Sequence, residues 1–321
     1  LRIFSGIQPS GTIHIGNYFG MIKKMIESQN EGELFAFLAS YHALTSVKSK
    51  ELLEKNSYEA AINFLALGMD PEKSTFWIQH DVKEVLELYW ILSNHTSMGL
   101  LERAHSYKDK TARGIQANHG LFSYPVLMAA DILLFDSNII PVGKDQIQHV
   151  EMTRDIANSF NHAYSKEIFV LPEARVDEIV ATVPGTDGAK MSKSYNNTID
   201  MFTSLKDRKK QVMGIVTDSK ELNEVKEWEN CNIYSISKLF MNENELANLR
   251  QRYETPGEGY GHFKMTLLEK INEYFAPYEE KREYYLNNKK EVREILEFGA
   301  SKARKIASAK MEIVKDCVGL I

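Results

Sequence analysis

A chain of 321 residues that is 43% hydrophobic is long enough to bury a sizeable core, and its length favours two domains over one. Its net charge of −5 argues against a protein that coats nucleic acid indiscriminately. No apolar run approaches the roughly 20 residues that span a bilayer, and two distant cysteines, Cys231 and Cys317, with nine scattered histidines suggest neither a disulfide framework nor a zinc site.

The first two dozen residues read as a strand (Ile3, Phe4), a turn containing Gly6, Pro9, Ser10 and Gly11, and an amphipathic helix with Ile15, Phe19, Ile22 and Ile26 on its apolar face. Such a turn leaves backbone N–H groups at the positive end of the helix dipole, where they can face phosphate oxygens. His14 and Asn17, three apart, fall on one side of the first helical turn and can donate to the same oxygens. Taken alone, the pattern also suits an ordinary βα turn. It matches neither the Walker nor the dinucleotide fingerprint.

Leu34–Ala39 reads as a buried strand, Lys50–Leu67 as a helix ending near Gly68, and Ser74–Gln79 as another strand. This rhythm predicts a parallel sheet with helices on its faces and a ligand site beyond the carboxyl ends of the strands. His42, just past the second strand, can face that ligand or serve the fold. Val82–Leu101 looks helical, with Trp90 and the apolar positions mostly on one face. The polar, glycine-containing stretch 106–120 predicts a mobile loop, from which Lys110 can reach a phosphate or simply stay in solvent.

Between Tyr124 and Leu134 an apolar helix carries a single acid, Asp131. An unpaired buried carboxylate costs several kcal/mol, so Asp131 either packs against a nearby N–H or is the polar fixture of an apolar pocket. Ile139–Val142 is the next predicted strand. Gly143-Lys144-Asp145-Gln146 follows, and then a helix to about Phe160; Asp145 and Gln146 are placed to cap that helix or to recognise a ribose or an amino group.

The turn-rich stretch Ala181–Gly188 leads to Lys190-Met191-Ser192-Lys193-Ser194, expected to be a flexible loop whose lysines neutralise charge developing on a triphosphate. Beyond Thr198 helical patterns follow one another (204–214, 236–239, 243–253, 263–285, 289–315), and the last helix is expected to pack back on the first domain. The basic clusters Lys206/Arg208/Lys209/Lys210, Lys281/Arg282/Lys289/Lys290/Arg293 and Lys302/Arg304/Lys305 are interleaved with acids and read as solvated helix faces.

His14-Ile15-Gly16-Asn17 resembles the "HIGH" signature, and Lys190–Ser194 reproduces the "KMSKS" signature, of class I aminoacyl-tRNA synthetases. Phe4–Gly11, Tyr124–Ile132, Gly143–Gln146 with Thr153–Asp155, and Gly257–Gly261 are similar to the bacterial tryptophan-specific family, almost end to end. The resemblance implies a Rossmann-like α/β catalytic domain over 1–197, with inserted helices and a dimer-forming region, rejoined by the C-terminal helix from about 290 to 321. A helical domain over 198–289 would bind the tRNA anticodon.

It further implies a two-step reaction: L-tryptophan is activated by ATP with Mg2+, then transferred to the 3′ ribose of tRNA(Trp), by a cytoplasmic homodimer with no membrane attachment and no protein-held metal. The implied catalytic residues are Lys190, Lys193, Ser194, His14, Asn17 and Lys110. ATP contacts would come from Gln8, Pro9, Ser10, Gly16, Asn17, Gly143, Lys144, Asp145, Val183 and Lys190 through Ser194.

Tryptophan would be held by Asp131, accepting the indole N–H, with Phe4, Met128, Ile132 and Val142 as apolar walls, Tyr124 and Gln146 at the α-amino group, and Gln8 and His42 nearby. Rejecting phenylalanine by leaving that acceptor unpaired can reach roughly 10⁴–10⁵. Two positions depart from the family pattern: Asn17 replaces the last His of the signature, and Lys144 stands where an acid is common. A tyrosine-specific ligase, a small-molecule adenylyltransferase and an inactive binding module are the competing readings.

Overall fold

The computed structural model describes residues 1–9, 11–104, 107–108, 118–176 and 183–321, with the side chain of Asp145 excepted. Five strands form one all-parallel sheet in the order β3-β2-β1-β4-β5, namely β1 Arg2–Ile7, β2 Glu33–Leu38, β3 Ser74–Ile78, β4 Ile139–Pro141 and β5 Glu173–Arg175. β2 and β3 are buried almost throughout, as strands covered on both faces must be. The chain order reverses beside β1, so the crevice expected to hold a ligand opens past Ile7 and Pro141, where Gln8, Pro9, Val142 and Gly143 lie.

The chain folds as two compact units, one of residues 1–11, 25–178 and 285–321, the other of residues 12–24 and 179–284. The expected boundary at 197/198 differs from this division: the stretch around His14 and the lysine loop group with the helical part.

The first unit carries the sheet with α1 Lys50–Ala66, α2 Glu84–Ser93, α3 His119–Leu133, α4 Ile147–Tyr164 and α8 Lys289–Val318. Its core joins Phe4, Phe35, Phe37, Trp77 and Phe135 to α3 and α8. α8 lies so closely against β3 that a Cβ at Gly299 would collide with the Phe76 carbonyl oxygen. The single helix expected over 82–101 is broken: α2 ends at Ser93, and Ser97 caps a short turn, Met98–Glu102, by accepting from the Leu100 N–H. Trp90 does not join the buried face of α2. It is 69% exposed, while Val85, Leu88, Ile91 and Leu92 point inward.

In the second unit are α5 Leu205–Met213, α6 Glu243–Glu254 and α7 Tyr260–Asn287 up to Tyr284. Tyr253 stacks on Phe263 at 4.1 Å, and Tyr18, Phe19, Phe240, Tyr274 and Phe275 form a second aromatic cluster. Arg208 corrects the reading of its cluster as a solvated face: it is fully buried, whereas Lys206, Lys209 and Lys210 are exposed. Among the described residues no helix is long and apolar enough to cross a membrane.

Candidate active site

In the first unit, Asp131 sits on the buried side of α3 with 3% of its surface exposed. Gln79, at the carboxyl end of β3, donates its side-chain amide to both carboxylate oxygens at 2.9 and 2.8 Å, and His42 Nε2 lies 2.9 Å from Oδ2. Burial pushes the Asp131 carboxyl up, while the hydrogen bonds from His42 and Gln79 and the charge of His42 pull it down. A carboxylate has about four lone-pair positions. Three are taken, so one further donor can be accepted.

Sequence reasoning named Asp131 and His42 but missed Gln79, whose only signal was its place at a strand's carboxyl end. Ile132 is buried, Met128 and Val142 are half-buried at the core margin, and Phe4 is enclosed by Phe37, Trp77 and Phe135. Tyr124 packs edge-on to His42, and its hydroxyl lies 2.7 Å from His149 Nε2, a second partner the sequence did not reveal. A cavity of about 180 Å³ opens beside His42 and Tyr124, lined also by Tyr41, Tyr89, Ser123 and Leu127. Gln146 is half-buried; Gly143 and Lys144 are exposed at the turn after β4, and Gln8 is exposed after β1, next to buried Pro9.

The second unit holds the His14 turn. His14 Nδ1 accepts the Asn17 N–H at 3.2 Å, and Asn17 Oδ1 accepts the His14 N–H at 3.3 Å, a reciprocal cap on the helix start. With Nδ1 accepting, the ring proton resides on Nε2, and Asn17 keeps its amide N–H2; both are donors. Burial and then the Lys193 charge hold His14 down to about 4, against a smaller opposing pull from Asp200. The ring is therefore neutral at physiological pH.

The lysine loop lies against this turn. A Cβ at Gly16 would stand 2.9 Å from His14 Nδ1 and 3.1 Å from the Met191 Cβ, so only glycine allows Met191, itself buried, to close on the turn. Lys190 and Lys193 are exposed, and burial of part of the Lys193 side chain lowers its pKa against the attraction of Asp200.

The loop is braced from within. Buried Asn197 accepts the Ser192 N–H at 2.8 Å and donates to the Lys190 carbonyl at 3.1 Å and to Asp187 at 2.7 Å. The Met191 N–H reaches the Val183 carbonyl at 3.0 Å, and the Ser192 and Ser194 hydroxyls pair at 2.8 Å. Asn197 is a supporting residue that the sequence reading overlooked, and it gives the loop a hydrogen-bond framework of its own. Ser10, Lys110 and the Asp145 side chain lie outside the described residues. So does most of the stretch 106–120.

Residues 1–276 match the family model described as tRNA synthetases class I (W and Y). The tryptophan–tRNA ligase of Campylobacter jejuni is 60% identical over 320 residues, covering all of both chains. That of Fusobacterium nucleatum is 52% identical, covering all of this chain and 98% of its own. The crystal structure of the C. jejuni tryptophanyl-tRNA synthetase complexed with ADP and tryptophan superposes with a TM-score of 0.97 over 99% of this chain and all of that one. A tyrosyl-tRNA synthetase from Archaeoglobus fulgidus, 18% identical with a TM-score of 0.64 over 88% of this chain and 90% of its own, shares the fold. With a matching family model over most of its length and relatives this similar from end to end, the chain belongs to the class I tRNA synthetases of the W and Y family.

Proposed function

We propose that the protein is a tryptophan–tRNA ligase. In the first step a carboxylate oxygen of L-tryptophan attacks the α-phosphorus of ATP, the bond to the bridging oxygen breaks, and pyrophosphate leaves with Mg2+ that arrived on the triphosphate. In the second, a 3′-terminal ribose hydroxyl of tRNA(Trp) attacks the activated carbonyl and AMP departs. Positioning and charge stabilisation, rather than covalent catalysis, supply the rate.

The observation that carries this reading is the packing of Met191 on Gly16, which brings the His14 turn and the lysine loop together within one unit although they lie far apart in sequence. His14 Nε2–H, the Asn17 amide, Gly16, Lys190, Lys193, Ser192 and Ser194 act on the triphosphate in that unit. Val183 and Met191 frame the base of the loop. Family resemblance alone adds Gln8, Pro9, Ser10, Lys110, Gly143, Lys144 and Asp145 as nucleotide contacts.

Tryptophan is assigned to the Asp131 pocket. The indole N–H takes the fourth lone-pair position of a carboxylate already oriented by Gln79 and His42, and indole offers one donor and no acceptor. Met128, Ile132 and Val142 supply apolar walls, with Phe4 as the floor; Tyr124, Gln146 and Gln8 face the α-amino end. The helical part of the second unit reads the tRNA, and exposed Leu86, Trp90 and Met98 on the first unit serve a homodimer interface. With tRNA as its second substrate, the enzyme works in the cytoplasm.

Pyrophosphate exchange measured with each of the twenty amino acids in turn tests reaction type and specificity together. Tryptophan-dependent exchange is expected. Preference for tyrosine, or exchange that needs no amino acid, refutes the assignment.

A further inference from the structure

Among the described residues, Arg208 is the largest charged side chain withdrawn entirely from solvent. Its guanidinium donates to the Glu279 carboxylate at 2.5 Å, to Asn272 Oδ1 at 2.7 Å and to the Met201 carbonyl, and its Nε approaches the Asp200 carbonyl at 3.5 Å. Two of these acceptors are main-chain groups of the 199–201 segment, and that segment is the antiparallel partner of the nucleotide turn. Ile15 N–H donates to the Ile199 carbonyl and Met201 N–H to the Ile13 carbonyl, each at 3.0 Å, across a bridge between His14 and Asp200.

Asn272 and Glu279 stand seven residues apart on α7, two turns along one stripe. The Arg208 side chain is fully buried while Glu279 keeps 34% of its side chain exposed, and such a pair is a weak source of stability because desolvating the guanidinium offsets the attraction. What Arg208 adds is orientation: a rigid planar fork fixes two carbonyls relative to a helix. The turn has a second tie to the same helix, since the Tyr18 hydroxyl meets those of Tyr274 at 3.2 Å and Tyr278 at 3.4 Å.

We infer that Arg208, held by Glu279, is a positioning residue for nucleotide binding: it fixes the 199–201 segment, and through it the His14 turn, to α7. The inference rests on the reading of that turn as a nucleotide site, and its test separates the two.

ATP and tryptophan are titrated separately by calorimetry into wild-type enzyme and into Glu279→Gln and Arg208→Lys, with thermal unfolding recorded in parallel. Glu279→Gln keeps an acceptor while removing the charge, so it decides the matter if Arg208→Lys does not fold. ATP is expected to bind about tenfold more weakly in the folded variants, the scale on which small misplacements act, with tryptophan affinity within about twofold of wild type. Unchanged ATP affinity in a folded variant overturns the inference, as does an equal loss for tryptophan, which would mark a purely structural role. Wild-type enzyme that binds ATP but fails in tryptophan-dependent exchange refutes the functional reading without touching the positioning role. Wild-type enzyme that binds no ATP overturns both.

Discussion

Asp131 is a buried carboxylate that serves the fold through two side-chain partners and that the proposed function also makes the acceptor for the substrate. Its two oxygens organise Gln79, the residue that follows β3, and His42, on the short helical turn Ser40–Ala43 after β2. Asp131→Asn turns one acceptor into a donor facing the Gln79 amide, leaving a buried donor unsatisfied at about 1–3 kcal/mol. The Kd for tryptophan is expected to rise by about tenfold or more while that for ATP is unchanged; parallel loss of both affinities would mean that the carboxylate serves only the fold.

At the same scale, His14 makes a pH prediction. Its folded value, about 4, lies below the ordinary 6.5, chiefly through burial and then through Lys193. The unfolded chain therefore takes up this proton first as pH falls. The stability that neutral His14 contributes is complete above 6.5 and is lost progressively between 6.5 and about 4. Urea midpoints of the wild type should fall more steeply across this window than those of His14→Gln, and equal slopes would contradict the assignment.

Among the elements, the strands were the most legible, because continuous apolar runs in a βαβ rhythm admit few alternatives; three of the four anticipated strands were placed to within a residue or two. Helix faces were less so. Trp90 was assigned inward from its hydrophobicity, yet Leu86 and Trp90 form an exposed i, i+4 pair on α2. Arg208 was assigned outward from its charged neighbours, although partners on α7, more than sixty residues later, satisfy it internally. Local pattern cannot register a partner so distant in sequence. β5, only three residues long and of sequence Glu-Ala-Arg, gave no pattern to find.

The packing of α8 on β3 belongs to this level too. Gly299→Ala would drive a methyl group into the Phe76 carbonyl, and forced helix displacement of this kind costs about 1–3 kcal/mol. A urea titration should show that loss at unchanged slope. A midpoint equal to that of the wild type would mean that α8 is not seated against the strand.

For the molecule as a whole, the two short signatures at His14 and Lys190 carried most of what could be read about activity. The residues that brace the site could not be found in the same way: Asn197 under the lysine loop, Gln79 on Asp131 and His149 on Tyr124 are each recognisable only from the group they touch. Leu86 and Trp90, 41% and 69% exposed, are two large apolar side chains one helical turn apart on the surface of the first unit, and contiguous apolar patches mark association surfaces. Sedimentation equilibrium is expected to give a dimer for the wild type and a shift toward monomer for Trp90→Glu. A wild-type monomer at micromolar concentration would leave the proposed homodimer without support.

Asn197 has one more consequence. By tying residues 187, 190 and 192 to a single amide, it converts a run of chain into a clasp whose rotational freedom is surrendered during folding. On the proposed function, a triphosphate would meet lysines carried on a preassembled frame, and little additional disorder would have to be given up at the moment of capture.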